Sequence, residues 1–241
     1  MALTKLELTP LDSAPRGAHT TTDAWKYLRA THQSVDGLFD ALHVVRSAKR
    51  TSENRGTLSA DQQDLLRAAL VFTSSGLDAC LTKLLHDTLG TLIATNRSAE
   101  KEFKTWVSGQ LNGRASGKIG GDLQKAILDE NPREQLVALY VAARTAPSLQ
   151  ATKDLRTVRD ALGLTTEHIS DDLLDGLAPF LTARNEIAHE LDLVVPTGPG
   201  TSTRRERNMD LVRSQCDEVL TVAAAIIRQT VRAVRRGAPG R

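Results

Sequence analysis

"MDLVRSQCDEVLTVAAAIIRQTVRA", residues 209–233, decides how this chain folds. Met209, Val212, Cys216, Val219, Ala223, Ile226, Thr230 and Ala233 recur at alternating steps of three and four. That is the a/d seam of a helix packed along another helix. The spacing predicts one helix over about 204–236. A single seam of this kind packs within its own chain more often than against a second copy.

Working outward, nearly every other periodic stretch is also helical, and strand-like alternation is almost absent. Residues 22–49 carry Leu28, Val35, Leu38, Leu42 and Val45 on one face. Ser59-Ala-Asp-Gln62 is a capping box, and the helix it opens runs to about Thr95, rich in Leu and Ala. A shorter helix is predicted over 98–111, then a Gly-rich loop over 112–122. Asn131-Pro132-Arg-Glu134 reads as a capping amide, a first-turn proline and a capping-box acid. Another helix is predicted over 149–163, and Ser170-Asp-Asp as the cap of the next one. Residues 192–203 read as a linker. The fold class is therefore all-α: a bundle of roughly seven helices with long antiparallel members. Residues 1–20 read as a loose N-terminal tail and 21–236 as one domain, with 97–165 as a candidate helical insertion. Residues 237–241 form a basic tail.

Charge is balanced overall, 31 Lys+Arg against 29 Asp+Glu, but unevenly placed. From Arg204 to Arg241 nine arginines face four acids, which suits contact with a polyanion or a solvated basic face. Cys80 and Cys216 lie in apolar helical patterns and read as two buried thiols. No run of 18 apolar residues or cleavable leader pattern is evident, so a cytoplasmic protein with no membrane partner is expected.

One helix carries an unusual polar set. In "TARNEIAHE", residues 182–190, Leu181, Ile187, Ala188 and Leu191 supply apolar contacts, yet Arg184, Asn185 and His189 sit among them. Asn185 and His189 are four apart and share a face. Arg184 and His189 are five apart, about 140° around the helix, so they converge only by flanking a groove. Histidine exchanges protons near neutral pH, and arginine holds a phosphate while staying charged. RNA carries its own nucleophile, the 2′-hydroxyl. Its cleavage needs only a base, an acid and a cation over the phosphorane oxygens. A symmetric dimer would supply two copies of the lone histidine across its axis.

Arg184-Asn185-three residues-His189 in an all-helical chain resembles the HEPN superfamily, the higher eukaryote and prokaryote nucleotide-binding domains. Its signature is Arg, four to six residues, then His. The upstream "VFTSSGLDACLTKLL" is similar to an early helix of that family, with Ser74 or Ser75 before Asp78. The resemblance spans about 60–236. It implies a metal-independent endoribonuclease without cofactor, with catalytic residues Arg184, Asn185, His189 and a supporting Asp78. It also implies a homodimer with a composite site, and a role as a toxin or phage-defence effector with an antitoxin or defence partner. In some members a tyrosine two residues after the histidine is modified; here that position is Leu191. Other members are non-catalytic RNA- or nucleotide-sensing or protein-interaction modules, and a plain helical dimerisation protein is a third reading.

"GRASGKIG", 113–120, lacks the spacing and the Ser/Thr of a phosphate-binding P-loop. It reads as a loop whose Arg114 and Lys118 touch RNA phosphates. Arg228, Arg232 and Arg235 fall on one helical face, suited to RNA backbone or to a helix C-terminus. His19, His32, His43, His86 and His168 show no metal spacing.

Overall fold

A computed structural model describes residues 5–48, 58–112, 120–195 and 203–237. Among them the protein is all-helical, with no strand beyond one isolated bridge, Leu193 to Arg204. The helices are α1 (Thr22–Ala48), α2 (Ala60–Thr95), α3 (Arg97–Asn112), α4 (Gly121–Ile127), α5 (Pro132–Thr145), α6 (Thr152–Ala161), α7 (Asp171–Asp175), α8 (Ala178–Glu190) and α9 (Met209–Gly237). A single 3₁₀ turn, His19–Thr21, leads into α1.

α2 is the axis of the bundle. Ser59 closes the expected capping box, its N–H donating to Gln62 Oε1 at 2.9 Å. By length and apolarity alone α2 is able to cross a membrane. Instead Leu66, Leu70, Leu81, Leu84, Leu89 and Leu92 are wholly buried by neighbouring helices. Each contributes about 1.5–3 kcal/mol by leaving water. α1, α9, α5, α8 and α3 all pack against α2; α9 also meets α1 and α8, and α3 meets α5 and α6.

The seam of α9 is used inside the chain. Val212, Cys216, Val219, Ala223, Ile226 and Thr230 are buried, chiefly against α2. Thr230 tolerates this because its hydroxyl donates back to Ile226 O at 2.8 Å. α1 crosses α2 so closely at Gly76 that a Cβ there would stand 2.0 Å from Thr31 Oγ1. The segment 97–165 adds α3 to α6 as a layer. Tyr140, fully buried, meets Phe103 edge-on at 5.6 Å and Trp106 at 5.3 Å.

Four expectations need correction. The N-terminal segment is not loose over its described part. Leu6 and Leu8 join the core, and Thr9 N and Oγ1 each donate to Asp217 at 2.7 Å. The last helix starts at Met209, because residues 204–207 are held extended by the side-chain pairs described below. Asn131 does not cap α5 with its side chain; its backbone N–H donates to Asp129 Oδ1 at 2.9 Å. Ser170 caps a separate five-residue α7, accepting from Leu173 N, and not the helix bearing the motif. A turn at Gly176–Leu177 divides the two, and Pro179 lies in the first turn of α8, where its missing N–H costs no intrahelical bond.

Candidate functional site

α8 carries Arg184, Asn185 and His189. Phe180, Leu181 and Ala183 are its buried face. Arg184 and Asn185 are half-buried at its flank, and His189 stands on the solvent side. The Arg184 and His189 side chains therefore diverge within one chain, as their spacing requires.

Arg184 NH1 donates to Asn185 Oδ1 at 2.9 Å, and Asn185 Nδ2 donates to Gln150 O at 3.2 Å. From α2, Asp78 Oδ1 accepts from the next backbone group, Leu149 N, at 2.9 Å. Asp78 and Asn185 thus bond to one turn, Leu149–Gln150, and Arg184 is linked to it through Asn185. His189 makes no hydrogen bond to a described residue and lies one helical turn beyond Asn185. Ser74 is buried and Ser75 exposed. A groove of about 540 Å³ runs between α8 and the start of α9, lined by Pro179, Thr182 and Glu186 against Asn208, Leu211 and Gln215. His189 follows Thr182 by seven residues and so sits on the same face of α8.

The C-terminal end of α8 is fixed by groups the sequence reading missed. Leu191 and Asp192 both take left-handed backbone, φ 52° and 61°, which ends the helix. Asp192, wholly buried, accepts from Arg67 Nε at 2.7 Å and from Arg207 Nε at 3.1 Å, and also pairs with Arg207 NH2. Arg67 donates further to Arg205 O at 2.8 Å and Asp64 at 3.0 Å. Arg207 reaches Glu186 at 2.7 Å, and Arg204 reaches Asp64 at 2.7 Å. Arg205 lies 3.5 Å from both Glu186 and Glu190. Burial opposes the Arg207 charge, but hydrogen bonds to Asp192 and Glu186 outweigh it and raise its pKa above the ordinary arginine value. The signal was present as acids in "NEIAHELD" facing "RRER" across the linker, but only folding pairs them.

This network changes the reading of the basic C-terminal region. Arg204, Arg205 and Arg207 are neutralised by acids. Arg184, by contrast, forms no ion pair with a described residue. Of the arginine face on α9, Arg228 is bound to Asp12 at 2.8 Å and lies over Trp25 at 5.4 Å. Arg235 packs beside Gly17, where a Cβ would sit 3.1 Å from its Nε. Arg232 is exposed and donates to Gln229 Oε1 at 3.4 Å. Arg114 and Lys118 lie outside the described residues.

Comparison with protein-family models, with curated proteins and with solved structures finds no match to this chain.

Proposed function

We propose that this chain is a metal-independent endoribonuclease of HEPN type, a toxin or phage-defence effector whose site is completed by a second copy. The observation that carries the reading is the lack of an ion pair at Arg184. It is half-buried beside Asn185 without a carboxylate partner among the described residues, while the neighbouring Arg67, Arg204, Arg205 and Arg207 are all paired. Its fork of donors is left for a phosphate. The exposed His189 supplies a group able to take or give a proton.

In this reading the 2′-hydroxyl of the RNA attacks the adjacent phosphorus. One histidine takes the 2′-hydroxyl proton as the 2′-oxygen–phosphorus bond forms. The bond to the 5′-oxygen breaks, and the histidine of the second copy protonates that leaving oxygen. Arg184 holds the phosphorane oxygens, and Asn185 holds Arg184. Asp78 is a positioning residue, acting through the Leu149–Gln150 turn. The α9 seam is buried within the chain and so offers no dimer contact. Exposed Leu191, Val194 and Val195, next to His189, favour a contact at the end of α8 instead.

The test compares wild type with His189→Ala for growth, RNA integrity and oligomeric state. Removing a general acid or base should lower cleavage by about 10²–10⁴-fold with the fold intact. Products should carry a 2′,3′-cyclic phosphate and a 5′-hydroxyl, and EDTA should not reduce the rate. Equal behaviour of both proteins, or a fully active monomer, overturns the proposal. The second reading, a non-catalytic RNA- or protein-binding module, is favoured by one feature. Asp78 and Asn185 are both engaged by backbone of the same turn, a structural use of two site residues.

A further inference from the structure

We propose that the corner where the C-terminal ends of α2 and α9 meet the turn after α6 is a binding site for a small phosphate-bearing anion. It is separate from the α8 site: Thr95 follows Asp78 by 17 residues along α2, about 25 Å at the rise of an α-helix. The cavity is about 200 Å³, below the size typical of sites for drug-sized ligands and suited to a phosphate with a small organic group.

Four side chains of the lining, Asn96, His168, Gln229 and Arg236, are hydrogen-bond donors. Asn96 has its carbonyl oxygen engaged, Oδ1 accepting from Ser98 N at 2.9 Å and Ala99 N at 3.2 Å. That fixes the amide orientation and leaves Nδ2 as the unengaged end. His168 Nδ1 accepts from Thr165 N at 3.2 Å, so in the neutral ring Nε2 carries the proton and is the free donor. Gln229 Oε1 takes Arg232 NH1 at 3.4 Å, again leaving the amide nitrogen. Arg236 adds a guanidinium with no ion pair to a described residue. No carboxylate is among the residues that line the cavity.

Two glycines close the walls. Gly163 has φ +68°, and a Cβ there would stand 2.7 Å from Asn96 Oδ1 and 2.8 Å from Ala99 N. A Cβ on Gly237 would stand 2.4 Å from the Thr95 side chain. Helix C-termini bring partial negative charge that disfavours an anion. Several of their carbonyls are already engaged here: Leu92 O by Asn96 N at 2.7 Å, Val158 O by Leu162 N at 3.0 Å, and Arg159 O by Leu164 N at 3.1 Å. Arg236 has no carboxylate partner among the described residues, so its guanidinium faces only this partial charge. Side-chain donors from Asn96, His168 and Gln229 with one fixed positive charge and no carboxylate select a multiply charged oxyanion over a cationic ligand, although Thr95, whose hydroxyl donates to Thr91 O at 2.8 Å, presents an acceptor.

The experiment is a thermal-denaturation titration of the full chain with inorganic phosphate and, separately, with glycerol phosphate. The pH is held constant and ionic strength is balanced with chloride. A ligand that binds only the folded state raises the melting temperature with its concentration, in step with its affinity. The expected result is such a rise with at least one probe. The probe acting at the lower concentration identifies free phosphate or a monoester as the source. Arg236→Ala, at an exposed position, and Gln229→Glu, which sets a carboxylate among the donors, should each weaken the response at least tenfold with unchanged helix content. His189→Ala should respond as wild type does. A melting temperature that follows ionic strength alone overturns the proposal. So does an undiminished response in the Arg236 and Gln229 variants.

Discussion

Asp192→Asn should destabilise the protein more than any exposed ion pair can. The Asp192 carboxylate is wholly buried, and Arg67, whose side chain is 6% exposed, donates to it at 2.7 Å. Asparagine tolerates left-handed backbone, so the φ of 61° survives the change and only the charge is removed. Arg207 keeps Glu186, but Arg67 is left as a buried cation with only the rim carboxylate of Asp64 and the Arg205 carbonyl. Breaking a buried pair on one side costs about 3–5 kcal/mol, and these remaining contacts place the loss near about 3 kcal/mol. For a domain of this size that corresponds to a fall of about 6–12 °C in melting temperature. Urea unfolding followed by far-UV circular dichroism reads it directly. Lys5→Ala, which breaks a pair with Asp40 whose side chains are 41% and 49% exposed, is the control and should shift the unfolding midpoint little, because solvent screens an exposed pair. Arg67→Met alone should also destabilise. The double variant should fall short of the sum by about 1–3 kcal/mol, because no stranded charge remains. A loss at Asp192 no larger than at Lys5 would refute the claim that this knot anchors the end of α8.

Two glycines of α2 should respond in opposite directions to alanine. Gly76→Ala meets Thr31 at 2.0 Å and should cost about 1–3 kcal/mol, whereas Gly90→Ala meets nothing within 4 Å and should stabilise by about 0.5–1 kcal/mol; paired melting curves decide. Burial pushes both thiols, Cys80 and Cys216, up to about 12, so a thiol reagent should label neither in the native protein and both in denaturant. Fast native labelling of either would contradict their burial. Asp171, held below its ordinary value of 3.8 by the hydrogen bond from Arg159, gives a pH dependence of known sign. Its folded pKa is depressed, so its contribution is complete above the ordinary carboxylate value and is lost as pH falls through the lower folded value. The opening free energy of α6 and α7, read from hydrogen exchange after division by the intrinsic amide rate at each pH, should therefore fall only on the acid side, and Asp171→Asn should flatten that limb.

The all-helical class was legible because a period near 3.6 depends on neighbours a few residues apart. The α9 seam, the capping box at Ser59 and the polar set on α8 were all visible for that reason. The helix boundaries near 176 and 204 were less so. Gly176 and Pro179 are local signals, but whether 204–207 continue α9 depends on Asp64, Arg67, Glu186 and Asp192, which are distant in sequence. The anchoring of the first described residues was hidden for the same reason: Leu6, Leu8 and Thr9 find their partners on helices far along the chain.

At the candidate site, sequence determined which groups share α8 and the angle between them. Helix geometry alone sets Arg184 and His189 about 140° apart. Only the tertiary structure decided which charges remain available. Nine arginines crowd the last 38 residues, and composition treats them alike, but the fold pairs Arg204, Arg205, Arg207, Arg213 and Arg228 with acids and leaves Arg236, like Arg184 on α8, without one among the described residues. Local periodicity is written in adjacent residues, whereas neutralisation of a charge requires two groups to arrive within a few ångströms from opposite ends of the chain. That is why the helices were readable from the sequence and the identity of the free cations was not.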